Sequence, residues 1–168
     1  MQEGITIRTV TMKDLEAVAE VERICFPPAE AAGRDAFYQR IQAFPDSFFV
    51  AELDGAIVGF INGAVTNERA IRDEMFEDAS LHQAMGAYQS IFGLDVLPEY
   101  QHKGIASMLM EYMIEKAGSR GKKGLILTCK DRLLPFYEKF GYRNLGVSAS
   151  VHGGAVWYDM ILEFEGNR

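Results

Sequence analysis

Leu94-Asp95-Val96-Leu97-Pro98-Glu99-Tyr100-Gln101-His102-Lys103-Gly104-Ile105-Ala106 reads as a strand, a tight polar turn and the first turn of a helix. Leu94, Val96 and Leu97 supply a short apolar run, and Pro98, with no N–H to give a sheet ladder, ends it. From Gly104 the period changes: Ile105, Met108, Leu109 and Tyr112 recur at the spacing of one helical face. Gln101 to Ala106 therefore sits where a strand hands over to a helix N-terminus. The first N–H groups of a helix have no intrahelical partner, and its dipole favours an anion there. Gly104 and Ala106 are small enough to let a phosphate reach the backbone.

The 168 residues, 48% hydrophobic and 24% charged, suit a single domain with one sizeable core. No apolar run is long enough to span a bilayer. Met1-Gln2-Glu3-Gly4 lacks the basic start of a signal peptide, so a cytoplasmic protein without a membrane partner is expected. Cys25 and Cys129 are the only cysteines and lack metal-ligand spacing; free thiols and no metal are expected. A net charge of −7 argues against nucleic acid as a partner and favours a cationic one. Acidity that simply keeps the chain soluble is the plainer alternative.

Upstream, Ile5, Ile7 and Val10 suggest a first strand. Thr11 is placed to cap the next helix, with Asp14 three positions on as half of a capping box; Leu15, Val18 and Val21 form its apolar stripe. Pro27 and Pro28 cannot continue a helix interior, so a loop is expected there. A second helix is expected over Arg34 to Ala43. Phe48 to Leu53 and Ala56 to Val65 flank Asp54-Gly55, a strong hairpin signal. Residues 66–86 are polar and long for a structureless connection, so they are expected to be partly helical or a flap. Tyr88 to Leu97 and Gly124 to Cys129 read as strands, Asp131 to Phe140 as a short helix, and Tyr142 to Val147 and Ala155 to Leu162 as the last two strands. The order implies one α/β (α+β) domain over residues 1–168, a mixed sheet with helices on its faces.

The pattern Gln101-x-x-Gly104-x-Ala106 resembles the pyrophosphate-binding turn of the GNAT superfamily of N-acetyltransferases. Leu134-Pro135-Phe136-Tyr137-Glu138-Lys139-Phe140-Gly141-Tyr142 is similar to that family's fourth-helix motif, and Ile57-Val58-Gly59-Phe60 to its strand after the hairpin. Three motifs in the family's order imply the GNAT fold: a mixed, mostly antiparallel sheet of about seven strands, the fourth and fifth splayed apart, with about four helices. The resemblance also implies acetyl-CoA held in the splay and direct transfer of its acetyl group to an amine. It places the Leu94 and Val96 backbone along the pantetheine. It makes Gln101, His102, Lys103, Gly104, Ile105 and Ala106 the cradle of the pyrophosphate, where Lys103 would add a charge-assisted contact. Phe26-Pro27-Pro28-Ala29-Glu30-Ala31-Ala32 and Leu133 to Tyr137 are similar to the arylalkylamine (serotonin) N-acetyltransferase branch, in a microbial type. That likeness puts Phe26, Pro27, Pro28 and Glu30 at an acceptor site. The branch's animal enzymes carry two histidines on the fourth strand; the matching positions here are Ser90 and Phe92. Many family members carry Asn and Ala ahead of the tyrosine, where this chain has Lys130 and Leu133.

An alkylamine, with a pKa of roughly 10.4 like that of lysine, must be neutral to attack a thioester. The developing oxyanion needs donors, and the departing sulfur needs a proton. In the family the fourth-helix tyrosine serves the sulfur, and the matching residue is Tyr137. The base stays open among a water ordered by Ser90, Glu30, Asp95, His82 and His152. Asp73, Glu74, Glu77 and Asp78 form the densest acidic cluster, read as the solvated face of a flap. The expected protein is an acetyl-CoA-dependent N-acetyltransferase of a small primary amine, monomeric or homodimeric. Acetylation of a protein N-terminus or lysine is an alternative. A non-catalytic acyl-CoA sensor on the same fold is another, and the Tyr137 hydroxyl speaks for an enzyme.

Overall fold

The computed structural model describes residues 4–165; Met1 to Glu3, part of the stretch read for a leader, lie outside them. Strand β1 spans Ile5–Thr9, and helices α1 and α2 span Leu15–Cys25 and Arg34–Ala43. The Asp14 half of the expected capping box forms: Thr11 opens a 3-10 turn at Met12–Asp14 without a side-chain cap bond, and its N–H donates to the Asp14 carboxylate at 2.8 Å, which Arg8 holds in turn at 2.8 Å. Strands β2 (Phe48–Leu53) and β3 (Ala56–Asn62) form the predicted antiparallel hairpin. Asp54 and Gly55 both adopt left-handed backbone, φ 50° and 82°, which a two-residue turn of matching twist requires. Val18, Val21, Phe37 and Ile41 of the two helices bury against Phe48, Val50 and Phe60.

After a short β4 (Val65–Thr66), residues 66–86 are partly helical, with α3 at Asp73–Glu77 and a single turn at Ala79–Leu81. The run from Tyr88 to Leu97, expected as one strand, is two: β5 (Tyr88–Ile91) and β6 (Gly93–Val96). The Asn62 carbonyl accepts the Phe92 N–H at 2.7 Å, while the register pairs Asn62 with Gly93. Two residues of one strand thus oppose one of the other, a β-bulge that bends the strand.

Helix α4 (Ile105–Ser119) covers the opposite face, where Ile105, Leu109, Met110 and Met113 are fully buried with Phe49, Ile61 and Leu125. Each such side chain contributes about 1.5–3 kcal/mol. Strand β7 (Gly124–Cys129) runs parallel to β5. Helix α5 is shorter than the expected Asp131 to Phe140: it spans Leu134–Glu138, preceded by a 3-10 turn and carrying Pro135 in its first turn. Strands β8 (Arg143–Val147) and β9 (Tyr158–Glu163) close the order. Two sheets result among the described residues, β1-β2-β3-β6 and β4-β5-β7-β9-β8. The break between them falls at Phe92. β5 stays with β7, and β6 leaves with β3, so the β6 and β7 ends splay apart.

Candidate active site

The splay opens into a cavity of about 480 Å³. Ile91 to Leu94 and Leu127 to Cys129 line its base, Leu133 and Tyr137 one side, Glu22, Phe26, Glu30 and Arg40 the other. Phe76, His152 and Trp157 roof it.

At the donor end, the Leu97 N–H donates to the Val58 carbonyl at 2.9 Å. By alternation Asp95 and Gly93 also face β3, and Leu94 and Val96 turn their backbone groups to the splay. Gln101 Nε2 donates to the Val96 carbonyl at 2.9 Å. The Gln101 side chain therefore ties the turn to the strand, and the cradle read there is one of backbone groups. His102 and Gly104 take φ 64° and 84°, and Gln101 to Gly104 are exposed. The α4 ladder begins with Met108 N–H to the Gly104 carbonyl at 3.0 Å. The N–H groups of Ile105, Ala106 and Ser107 precede it and point out of the helix end. Backbone donors beside a residue without a side chain fit a pyrophosphate, and Lys103 adds a cation nearby.

Tyr137 is buried, edge-on to Phe136 and Tyr142 with ring centroids 5.1 Å and 5.9 Å away. Burial, with smaller effects of Cys129 and Asp95, pushes its phenol well above the ordinary range. It remains a protonated donor. The Cys129 thiol is pushed up to about 11 by burial, which leaves it a poor nucleophile.

At the acceptor end, Phe26 and Glu30 line the cavity, whereas Pro27 and Pro28 are exposed and stand outside its wall. Glu30 Oε2 pairs with Lys130 Nζ at 2.8 Å, and that ammonium lies 5.6 Å from the Trp157 ring centre. His152 Nε2 is 2.9 Å from the Glu30 carbonyl oxygen, and Trp157 Nε1 donates to the His152 carbonyl at 2.8 Å. Asp73 is not the solvated flap residue expected: its carboxylate accepts from the Ser150 hydroxyl and from the Val151 N–H at 3.1 Å. The acidic segment thus anchors the roof.

Three candidate bases are absent from the cavity wall: Ser90, His82 and Asp95, the last buried behind it. Ser90 is fully buried, its hydroxyl donates to the Ala64 carbonyl at 2.6 Å, and it is absent from the cavity wall. This corrects its reading as a catalytic, water-ordering residue. His82 Nδ1 accepts the Val65 N–H at 2.9 Å in a separate recess with Asp46 and Lys122; burial lowers its pKa.

Sequence reasoning missed Glu22 and Arg40. The Glu22 carboxylate accepts the Ala32 N–H at 2.9 Å. Arg40 is buried between Phe37 and Phe92, 5.2 Å and 5.0 Å from their ring centres, and donates to Asn62 Oδ1 at 3.2 Å and the Phe76 carbonyl at 3.0 Å. Burial draws it down to about 10 against the opposing pull of Glu22 and Asp95. Asp95 is 1% exposed. Neither of its oxygens accepts a hydrogen bond from an N–H or hydroxyl group; its neighbour is the Glu22 carboxyl. Burial, then Glu22, raises its pKa well above the carboxylate range, with Arg40 opposing. A Cβ on Gly93 would stand 3.2 Å from Asp95 Oδ1, 3.6 Å from Asn62 Nδ2 and 3.8 Å from Glu22 Oε1, so the three polar groups converge over that glycine. The signal was present: Glu22 lies seven residues after Leu15, and Arg40 three after Phe37, each an ionisable group on an apolar face.

The splay, the glycine turn at a helix N-terminus and the tyrosine on the short α5 define the class. The chain belongs to the Acetyltransferase (GNAT) family, whose sequence profile matches residues 15–142. It is an acyltransferase that draws on an acyl-CoA. It is 27% identical over 159 residues to the serotonin N-acetyltransferase of Mesocricetus auratus, which covers 91% of this chain and 74% of that enzyme. In fold it is similar to the GphF GNAT-like decarboxylase in complex with isobutyryl-CoA (TM-score 0.82, 23% identity, 94% and 98% of the two chains). It is also similar to Arabidopsis thaliana Naa50 bound to the bisubstrate analogue CoA-Ac-MVNAL (TM-score 0.74, 18% identity, 96% and 99%). Among the described residues no helix is long and apolar enough to cross a membrane.

Proposed function

We propose that this acyltransferase moves the acetyl group of acetyl-CoA to a small primary amine with an aromatic or other apolar body, an arylalkylamine being the best fit. The observation that carries this reading is the single cavity that joins the splay to a recess both aromatic and acidic. Phe26, Phe76, Phe92 and Trp157 offer ring faces, and Glu22, Glu30, Asp35 and Glu77 outnumber Arg40. Such a recess suits a cation with an apolar body. The roof, tied down through Glu30, Asp73 and Trp157, suits an acceptor of limited length. The likeness to serotonin N-acetyltransferase points the same way.

In this reading the backbone of Ile105, Ala106 and Ser107, with Lys103, holds the pyrophosphate, and Leu94 and Val96 align the pantetheine arm. Tyr137, kept protonated by burial, gives its proton to the sulfur as the C–S bond breaks. Negative charge grows there only in the transition state, so this donor acts on rate more than on binding. The test is thiol release from acetyl-CoA across arylalkylamines, polyamines, amino acids and peptides beginning with a free N-terminus. Arylalkylamines should give the highest kcat/KM. A preference for peptides would transfer the acceptor to a protein N-terminus, and tight acetyl-CoA binding without turnover would make the chain a sensor.

A further inference from the structure

We infer that Glu22, facing Asp95 over Gly93 with Arg40 beside them, is the seat of the acceptor's ammonium group and takes its proton with Asp95 behind it. The inference rests on acetyl transfer to an amine, whichever amine that is. Three observations carry it. Glu22 and Gly93 line the same cavity as Tyr137, so Glu22 and the sulfur donor border one space, with Asp95 buried behind its wall. Asp95 is almost wholly buried, and its two oxygens receive no N–H or hydroxyl donor. A carboxyl group so placed carries a desolvation cost that no hydrogen-bond donor offsets and that only the charge of Arg40 opposes. Third, the place where a side chain would separate the carboxyls is held by glycine, and a Cβ there would be 3.2 Å from Asp95 Oδ1.

Two adjacent carboxylates cannot both ionise freely, and it is Asp95 whose pKa is raised, by burial and then by Glu22. The groups that face the two carboxyls are Cys25 from α1, Arg40 from α2, Asn62 from β3 and Tyr137 from α5. An entering ammonium hands one proton to the Glu22 carboxylate, which Asp95 backs across Gly93. The neutral amine is left facing the thioester. The C–N bond forms, the C–S bond breaks, sulfur takes the Tyr137 proton, and the proton shed by nitrogen restores the phenol. The ammonium's extra proton leaves from the pair to water. Glu22 touches the amine and is the catalytic residue; Asp95 acts through it as a positioning residue.

The experiment compares wild type, Glu22→Gln and Asp95→Asn on the best amine of the panel, with rates followed against pH. Glu22→Gln should lower kcat/KM by roughly 10²-fold. Asp95→Asn should lower it by about tenfold and move the acid limb to lower pH, since a lone carboxylate is the weaker base. The thermal shift given by acetyl-CoA should be retained in both. If Glu22→Gln does not fold, Glu22→Asp keeps the charge one methylene back and should fall between the two. A second readout needs no turnover. An acid with its pKa raised in the fold stabilises below its unfolded value and loses that contribution as pH rises. Wild type should therefore lose stability from about pH 4 upward relative to Asp95→Asn. Parallel stability curves, or unmoved pH–rate profiles in folded variants, would overturn the pair. If wild type acetylates no amine, the proposed function fails instead, and the stability curves alone judge the pair.

Discussion

His152 and Phe76 lie ring on ring, their centroids 5.3 Å apart and their planes 18° from parallel. The stack joins α3 to the segment before β9 and closes the cavity over the acceptor recess. Truncating Phe76→Ala removes a ring from the cavity wall, a contact to an aromatic acceptor worth about 1 kcal/mol. KM for an arylalkylamine should rise by roughly fivefold at that energy, while acetyl-CoA affinity stays as it was. Steady-state kinetics with the amine varied, and separate cofactor binding, measure both.

Tyr137→Phe keeps the ring and its packing against Phe136 and Tyr142 and removes the hydroxyl. kcat should fall by roughly 10²-fold, the lower end of general-acid effects, with little change in acetyl-CoA affinity. Full kcat in the folded variant would return Tyr137 to a packing role.

Gly104 sits at φ 84° before the first turn of α4. A valine there meets the strain of left-handed backbone for a β-branched residue and stands where the pyrophosphate must approach. Acetyl-CoA should raise the melting temperature of wild type and not that of folded Gly104→Val. Equal shifts would remove the anion seat from this turn.

The Arg8–Asp14 pair sets part of the acid stability. The guanidinium, opposed by desolvation, holds the Asp14 carboxyl below its ordinary 3.8. A lowered pKa stabilises above the unfolded value and loses that contribution as pH falls through the folded one. Asp14→Asn should cost about 1 kcal/mol at neutral pH and flatten the loss of stability below about pH 4. Chemical denaturation across that range reads the difference; curves that stay parallel would assign the acid transition elsewhere.

Local chemistry carried most of what was legible. Asp54-Gly55, the bounds of α2, the Gln101 to Ala106 turn and the tyrosine of α5 each depend on a few neighbouring residues. The break at Phe92 did not show, because Tyr88 to Leu97 holds no proline or turn cluster to mark one and a bulge needs only one surplus residue. The likeness to the branch's two fourth-strand histidines put Ser90 at the site together with Phe92; Phe92 lines the cavity, while Ser90, before the bulge, turns its hydroxyl to the Ala64 carbonyl. Glu22 and Arg40 stood out only as ionisable groups on apolar faces, and their meeting with Asp95 was not legible. Their ionisable groups are distant in sequence from Asp95, and only the packing of α1 and α2 on the sheet brings them together.

Because the donor slot arises from one surplus residue in a strand, it is a property of backbone parity and not of the side chains around it. Residues on its rim can be exchanged for those that recognise another acceptor without closing it. Removing Phe92 would do the reverse: the ladder to β3 would regain its register, β6 would continue alongside β7, and the chain could remain a sheet protein with nowhere to put a thioester. Diversity of acceptors and constancy of the donor are then separable in this architecture, one written in side chains and the other in a count of peptide units.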